Sequence, residues 1–185
     1  MEKLNQTPSQ TVGPFFAYSL TAKQYGYNYN SIITDSLVNE TVEGERILIK
    51  GQIFDGQGNV IPDAIIELIQ YFETDNQEIK SKIARVGTGT SDDGSFTFTT
   101  IKSKIINGQA PFISVIIMMR GSLHHLHTRL YFSDENNQQD LLLNSIPENR
   151  RNSLIASKLQ KNNQVFYEFN IRMQGEKETV FFALS

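Results

Sequence analysis

The sequence predicts an all-β protein: a two-sheet β-sandwich with an extended, irregular N-terminal arm and one short helix. Three observations carry this expectation. Short runs rich in Ile, Val, Leu, Phe and Tyr recur from Arg46 onward. Clusters of Gly, Asp and Asn separate them roughly every dozen residues, the spacing of sandwich strands. Within several runs, apolar and polar residues alternate with a period of two. The 185 residues, 39% hydrophobic and 20% charged, suit one soluble domain with a real core.

Residues 1–45 show no sustained period. "TPSQTVGPFF" and "YGYNYN" mix turn formers with aromatics, and Phe15, Phe16, Tyr18, Tyr25, Tyr27 and Tyr29 are too many for a solvating tail. This stretch is expected to be an arm packed on a partner chain, with residues 46–185 forming the sandwich. "RILIKGQIFD" reads as strand and stops at the Asp-Gly turn of "DGQGN". "AIIELIQYF" follows, then "ARVGTGTSDDGSFTFTTI", where Asp93-Gly94 turns and Phe96 and Phe98 alternate with threonines. "FISVIIMMR" and "HHLHTRLYF" come next. "NSIPENRRNSL" is expected to hold the short helix, with Ser145 as cap and Pro147 in its first turn. "SLIASKLQ" and "VFYEFNIRMQG" form a hairpin around "KNNQ", and "ETVFFALS" a closing strand. No internal repeat or low-complexity segment is present.

The formal net charge of -3 gives no basic surplus, so nucleic acid and anionic membrane are not expected partners. No apolar run approaches the roughly 18 residues that span a bilayer. The N-terminus lacks the basic-then-apolar pattern of a signal peptide. The absence of cysteine removes disulfides and thiolate metal sites and suits a reducing compartment. A cytoplasmic location is expected.

All three histidines lie in "SLHHLHTRLYF". If 124–132 is a strand, His125, His127, Arg129 and Tyr131 share one face, and His124, Leu126, Thr128, Leu130 and Phe132 the other. A His-x-His pair on one face can chelate a metal. Such a site usually needs a third protein ligand, however, and a guanidinium two residues on opposes cation binding. The better-supported expectation is that the leucine and phenylalanine face enters the core while the other meets a polar neighbour or another subunit. In 112–120 both faces are apolar, so both require cover, from a locally thick core, the arm or a partner chain.

"TPSQTVGPFF", "GQIFDGQGNVIPDAIIELIQ", "SDDGSFTFTTIK", "QAPFISVIIMMRG", "HLHTRLYFSDE" and "FNIRMQGEKETVFF" resemble, in this order, the alpha subunits of the protocatechuate 3,4-dioxygenases, within the intradiol ring-cleavage dioxygenase family. "HLHTRLYF" and "IRMQGEKETVFF" together are highly specific, whereas "GQIFDGQGNVIPDA" alone is shared by many sandwich modules. The resemblance implies a β-sandwich with an irregular arm, working as a heteromer of alpha and beta chains. The beta chain holds Fe(III) through two tyrosines and two histidines. The enzyme inserts both atoms of O2 into protocatechuate, a small aromatic acid, and gives 3-carboxy-cis,cis-muconate.

By the same resemblance, Phe112 and Ser114 occupy the positions of the two histidine ligands. The His125 and His127 pair corresponds to no ligand, and no tyrosine lies between Tyr71 and Tyr131. No catalytic, cofactor-binding or metal-ligating residue is therefore expected in this chain. Phe112 is expected to fill the former site with apolar bulk. The resemblance carries substrate contact in the partner's cleft onto Thr11, Gly13 and Pro14 of the arm and onto Arg129. Gly13-Pro14 suits a rigid turn that lets backbone approach a ligand, and an arginine suits an anionic aromatic acid. Two other classes stay open: a non-catalytic β-sandwich ligand-binding module, and a homomeric metalloenzyme using His125 and His127. For Arg129 an intersubunit salt bridge is the alternative role.

Overall fold

The structure, a computed structural model, describes residues 10–13, 15–38, 44–74, 76–161 and 164–183. Ten strands follow in chain order: β1 Arg46–Gly51, β2 Ile53–Phe54, β3 Ala64–Glu73, β4 Ile79–Gly87, β5 Phe96–Ile101, β6 Phe112–Met119, β7 Leu126–Phe132, β8 Ile155–Lys161, β9 Gln164–Glu168 and β10 Ile171–Arg172. Eight of them hydrogen-bond in the order β4-β3-β6-β7-β8-β9-β1-β5, and β10 pairs with β2. The two layers expected from the sequence are thus joined through β8. Its first residues pair in parallel with Tyr131 and Phe132 of β7, and its remainder pairs antiparallel with β9.

Alternation decides the interior. Ile113, Val115 and Ile117 of β6 and Leu130 and Phe132 of β7 are buried between the layers with Ile49, Ile66, Leu68, Phe96 and Phe98. Each such side chain stabilises the fold by about 1.5–3 kcal/mol. The opposite face of the sheet that holds β4, β3, β6 and β7 has two covers from this chain itself. At one end, the arm packs on the end of β4 through Thr21 and Tyr25. The Gln24 side chain accepts a 2.9 Å hydrogen bond from the Gly87 amide. A Cβ on Gly89 would lie 2.6 Å from the Tyr25 hydroxyl and 2.7 Å from the Pro62 carbonyl, so only glycine permits this approach. At the other end, Tyr131, Leu143, Ile146 and Leu154 form a second cluster with Phe112, Val180 and Phe182 against it.

The edges of the eight-stranded order, β4 and β5, are capped by one short stretch. The Thr34 carbonyl accepts from the Arg85 amide on β4, at 2.7 Å. On β5 the Asp35 carbonyl accepts from Thr99, and Leu37 donates to the Thr99 carbonyl. Residues 34–37 therefore satisfy polar groups that an open edge would present to other chains.

Three local expectations change. The helical stretch is two single turns, α2 Leu141–Asn144 and α3 Glu148–Arg151, besides the arm's α1 Phe16–Leu20. Asp140 caps α2 by accepting from the Leu143 amide, while Ser145 closes that turn. Pro147 precedes α3 as its N-cap, where its missing N–H costs nothing. The segment after Glu178 is no strand among the described residues. It is pinned by single contacts, chiefly the Phe182 amide donating to the His127 carbonyl at 2.8 Å. Finally, β4 begins earlier than its apolar residues suggest, because Lys80, Ser81 and Lys82 lie in its outer half.

The crossing at β8 is held by a charge cluster. Asp134, just after β7, accepts from Lys102 at 2.9 Å and from Lys158 at 2.8 Å. The Tyr167 hydroxyl lies 3.1 Å from both of its oxygens. Partial burial would raise the Asp134 pKa, but the bonds from Lys158, Lys102 and Tyr167 outweigh it and lower it to about 2. The folded state therefore gains stability from this carboxylate above the ordinary carboxylate pKa. It loses that gain as pH falls through about 2. Asp134→Asn should cost about 2 kcal/mol at neutral pH and flatten the acid limb of the stability curve between pH ~4 and ~2. Urea titrations of both forms across that range check this. Parallel curves would remove Asp134 from the account.

Candidate functional site

The outer face of β3, β6 and β7 carries a ladder of cross-strand rows. Phe112 pairs with Tyr131, Ser114 with Arg129 and Ile116 with His127. From β3, Ile69 extends the second row and Glu67 the third. Tyr71 approaches Phe112 from the same side. The Tyr71 and Tyr131 rings each lie 6.1 Å, centroid to centroid, from the Phe112 ring.

Arg129 dominates this face. Its guanidinium carbon lies 3.8 Å from the Phe112 ring centroid, a close cation–π contact. Its Nη1 donates to the Gln109 side-chain carbonyl at 2.8 Å and lies 3.4 Å from the Tyr131 hydroxyl. No carboxylate pairs with Arg129 among the described residues. Behind it, the Tyr131 hydroxyl donates to Asp140 Oδ1 at 3.1 Å. The same oxygen accepts from the Leu143 amide at 2.9 Å, and Oδ2 accepts from Ala110 at 3.1 Å. Burial raises the Tyr131 phenol to about 12. Arg129 opposes that rise and the Asp140 carboxylate adds to it. Tyr131 is therefore a neutral phenol at physiological pH.

These residues do not fit a ferric ion. Such an ion takes anionic oxygen and imidazole donors. Here Phe112 and Ser114 offer a phenyl ring and a hydroxyl, the adjoining tyrosine holds its proton, and a guanidinium lies across the ring. The histidines form no alternative centre. His127 lies on β7, but His125 precedes the strand and is exposed, with the ring centroids 4.7 Å apart. Burial and the neighbouring His125 lower the His127 pKa. Among the described residues no group of three His, Cys, Asp or Glu is placed to hold a metal.

The arm residues lie elsewhere. The Thr11 hydroxyl accepts from the Gly121 amide at 2.8 Å, in the turn after β6, where Gly121 takes a φ of 84°. Gly13 accepts from the Phe16 amide, and nothing lies within 4 Å of a Cβ built on it. Pro14 lies outside the described residues. Ser114, the partner of Arg129, is separated from Gly121 by roughly 20 Å of strand. The structure thus groups Arg129 with Phe112 and Gln109, not with Thr11. The arginine next to Thr11 is Arg120, which is exposed and ion-paired with Asp63. Sequence reasoning did not single out Arg120 as a candidate. Its signal was its place beside Gly121 at the end of a strand, which becomes meaningful only when the arm is docked there. Gln109 and Asp140 were missed because their partners are distant in sequence.

The chain matches no protein-family model. Among solved structures, an intradiol ring-cleavage dioxygenase from Tetranychus urticae superposes with a TM-score of 0.62 at 15% identity, covering 90% of this chain and 94% of that one. The dioxygenase domain of a carbohydrate-binding fusion from Streptomyces sp. SirexAA-E gives 0.55 at 20% identity, covering 95% and 100%. The fold is therefore that of the intradiol dioxygenase β-sandwich. Among curated proteins, the protocatechuate 3,4-dioxygenase alpha chain of Burkholderia cepacia is 44% identical over 195 residues, covering 98% of this chain and 99% of that one. The alpha chain of Pseudomonas putida is 37% identical over 198 residues, covering 98% of each. The chain belongs to the protocatechuate 3,4-dioxygenase alpha-chain family.

Asp140 is the support of the site, since it is 1% exposed and its two oxygens accept from Tyr131, Leu143 and Ala110. Asp140→Ala strands three buried donors and removes a helix cap. It should cost about 3 kcal/mol or more, read as a lower urea midpoint. Asp140→Asn, which keeps the shape and part of the bonding, should cost less. Equal stability of wild type and both variants would show that the network does not hold the site.

Proposed function

We propose that this chain is the metal-free partner in a heteromeric protocatechuate 3,4-dioxygenase, assembling with a beta chain that holds the Fe(III). The observation that carries the reading is the combination of end-to-end similarity to alpha chains with a pseudo-site whose cation is Arg129. Bound iron would supply activation of the catechol for attack by O2. This chain's residues would wall the cleft, exclude water and place positive charge near an anionic substrate. Residues 1–45 act as the arm toward the partner, although residues 17–25 also pack on their own sandwich. A cytoplasmic location is proposed from the lack of cysteine. No described helix is long and apolar enough to cross a membrane.

Thr11, Gly13 and Pro14 are the proposed arm contacts to substrate. For the accompanying charge, proximity to the arm favours Arg120 over Arg129, and an anionic substrate would have to compete with Asp63 for it. Arg120 adjoins the amide that anchors Thr11 and is 56% exposed, whereas Arg129 is half-buried and committed to Phe112 and Gln109. Arg129 remains the second reading, because it has no carboxylate partner among the described residues.

Steady-state kinetics of the assembled enzyme separate the two. Arg120→Ala should lower kcat/KM by roughly 1.5–3 kcal/mol, the scale of a charge-assisted hydrogen bond. Lysine at 120 should rescue it partly, with iron content and assembly size normal. Arg129→Ala should leave kcat/KM unchanged and lower the melting temperature. The reverse pattern would return the substrate role to Arg129. Full activity in both variants would remove arginine from the cleft.

A further inference from the structure

We propose that the cavity at the open end of the sandwich, between the β3–β4 hairpin and residues 102–106, binds a small amphipathic monocarboxylate. Its volume is about 410 Å³, within the usual range of small-molecule sites. Leu37, Phe72, Ile101 and Ile106 give it apolar walls, which suit a short aliphatic chain or a single ring.

Its polar groups are directional. The Thr100 hydroxyl donates to the Gln70 side-chain oxygen at 2.6 Å. The Gln70 amide donates in turn to the Ile101 carbonyl at 2.6 Å and to the Ser103 hydroxyl at 3.0 Å. Ser103 is 7% exposed and lines the cavity. It accepts from Gln70, yet its own proton has no acceptor among the described residues. Because Ser103 lines the cavity, an oxygen of a bound ligand can accept that proton.

Charge at the mouth selects the same ligand. Lys82 and Lys104 line it, and neither has a carboxylate partner among the described residues. Lys82 Nζ rests 5.6 Å from the Phe72 ring centroid. Lys102 is already neutralised by Asp134 and Glu135. Glu73 also lines the mouth, so the balance there is positive but small. One carboxylate satisfies both features: it offers an acceptor to Ser103 and a single negative charge to the lysines.

Octanoate is the test probe, titrated calorimetrically into the full chain in its purified assembly, with octanol as the neutral counterpart. The proposal expects one saturable site per chain for octanoate, with octanol weaker by about tenfold. Lys82→Gln with Lys104→Gln should weaken octanoate at least about fivefold, and Ser103→Ala about threefold. Ile106→Trp, which fills the space, should abolish binding while far-ultraviolet circular dichroism stays native. If wild type shows no saturable binding, the proposal fails. It fails equally if octanol binds as well as octanoate, or if the affinity is the same in the lysine and serine variants.

Discussion

The register of β6 against β7 is the constraint on which the rest depends. Because side chains alternate, burying Ile113, Val115, Ile117, Leu130 and Phe132 between the layers forces Phe112, Ser114, Arg129 and Tyr131 onto the other face. A slip of one residue would send every one of them to the wrong side. The core therefore settles which groups meet on that face. Those groups are a phenyl ring, a hydroxyl, a guanidinium and a protonated phenol. The same register aims Tyr131 at Asp140, so α2 and the strand that carries Arg129 are locked together.

Arg129 gives that face a permanent cation. A half-buried guanidinium needs compensation for lost solvation. The Phe112 ring, the Gln109 carbonyl and the Tyr131 oxygen provide it without a carboxylate. The result is a mutually bonded patch with no metal donor set among the described residues. The arm-facing surface at Thr11, Gly121 and Arg120 is built differently, from a turn and an exposed charge that can adapt to what they meet.

Much of the fold was legible in the sequence, because period-two alternation and Asp-Gly turns are local signals. The strands at 46–51, 64–73, 96–101 and 112–119 follow directly from them. The split faces of β7 were also readable, down to Arg129 and Tyr131 sharing a side. What was not legible depends on distant partners. The capping of both sheet edges by 34–37 leaves no pattern in that stretch. The closing segment looked like a strand because Val180 and Phe182 are apolar, yet their partners are a cluster and a single bridge to His127. Apolar bulk at Phe112 was expected from the resemblance. The stacking of Arg129 on it was not, since no spacing encodes a contact across two strands. Nor did the sequence single out Arg120 as a second candidate beside Arg129, because only the docking of Thr11 on Gly121 brings the arm to that end of the strand.

The alpha-chain family and the donor-poor face both support the proposed role of a subunit that works beside a metal-bearing partner. The most direct test is elemental iron analysis with oxygen uptake on protocatechuate, made on this chain purified alone and on the same chain co-purified with its beta chain. The account predicts no stoichiometric iron and no uptake for the chain alone, and both for the co-purified assembly. Stoichiometric iron with oxygen uptake from the chain alone would contradict it.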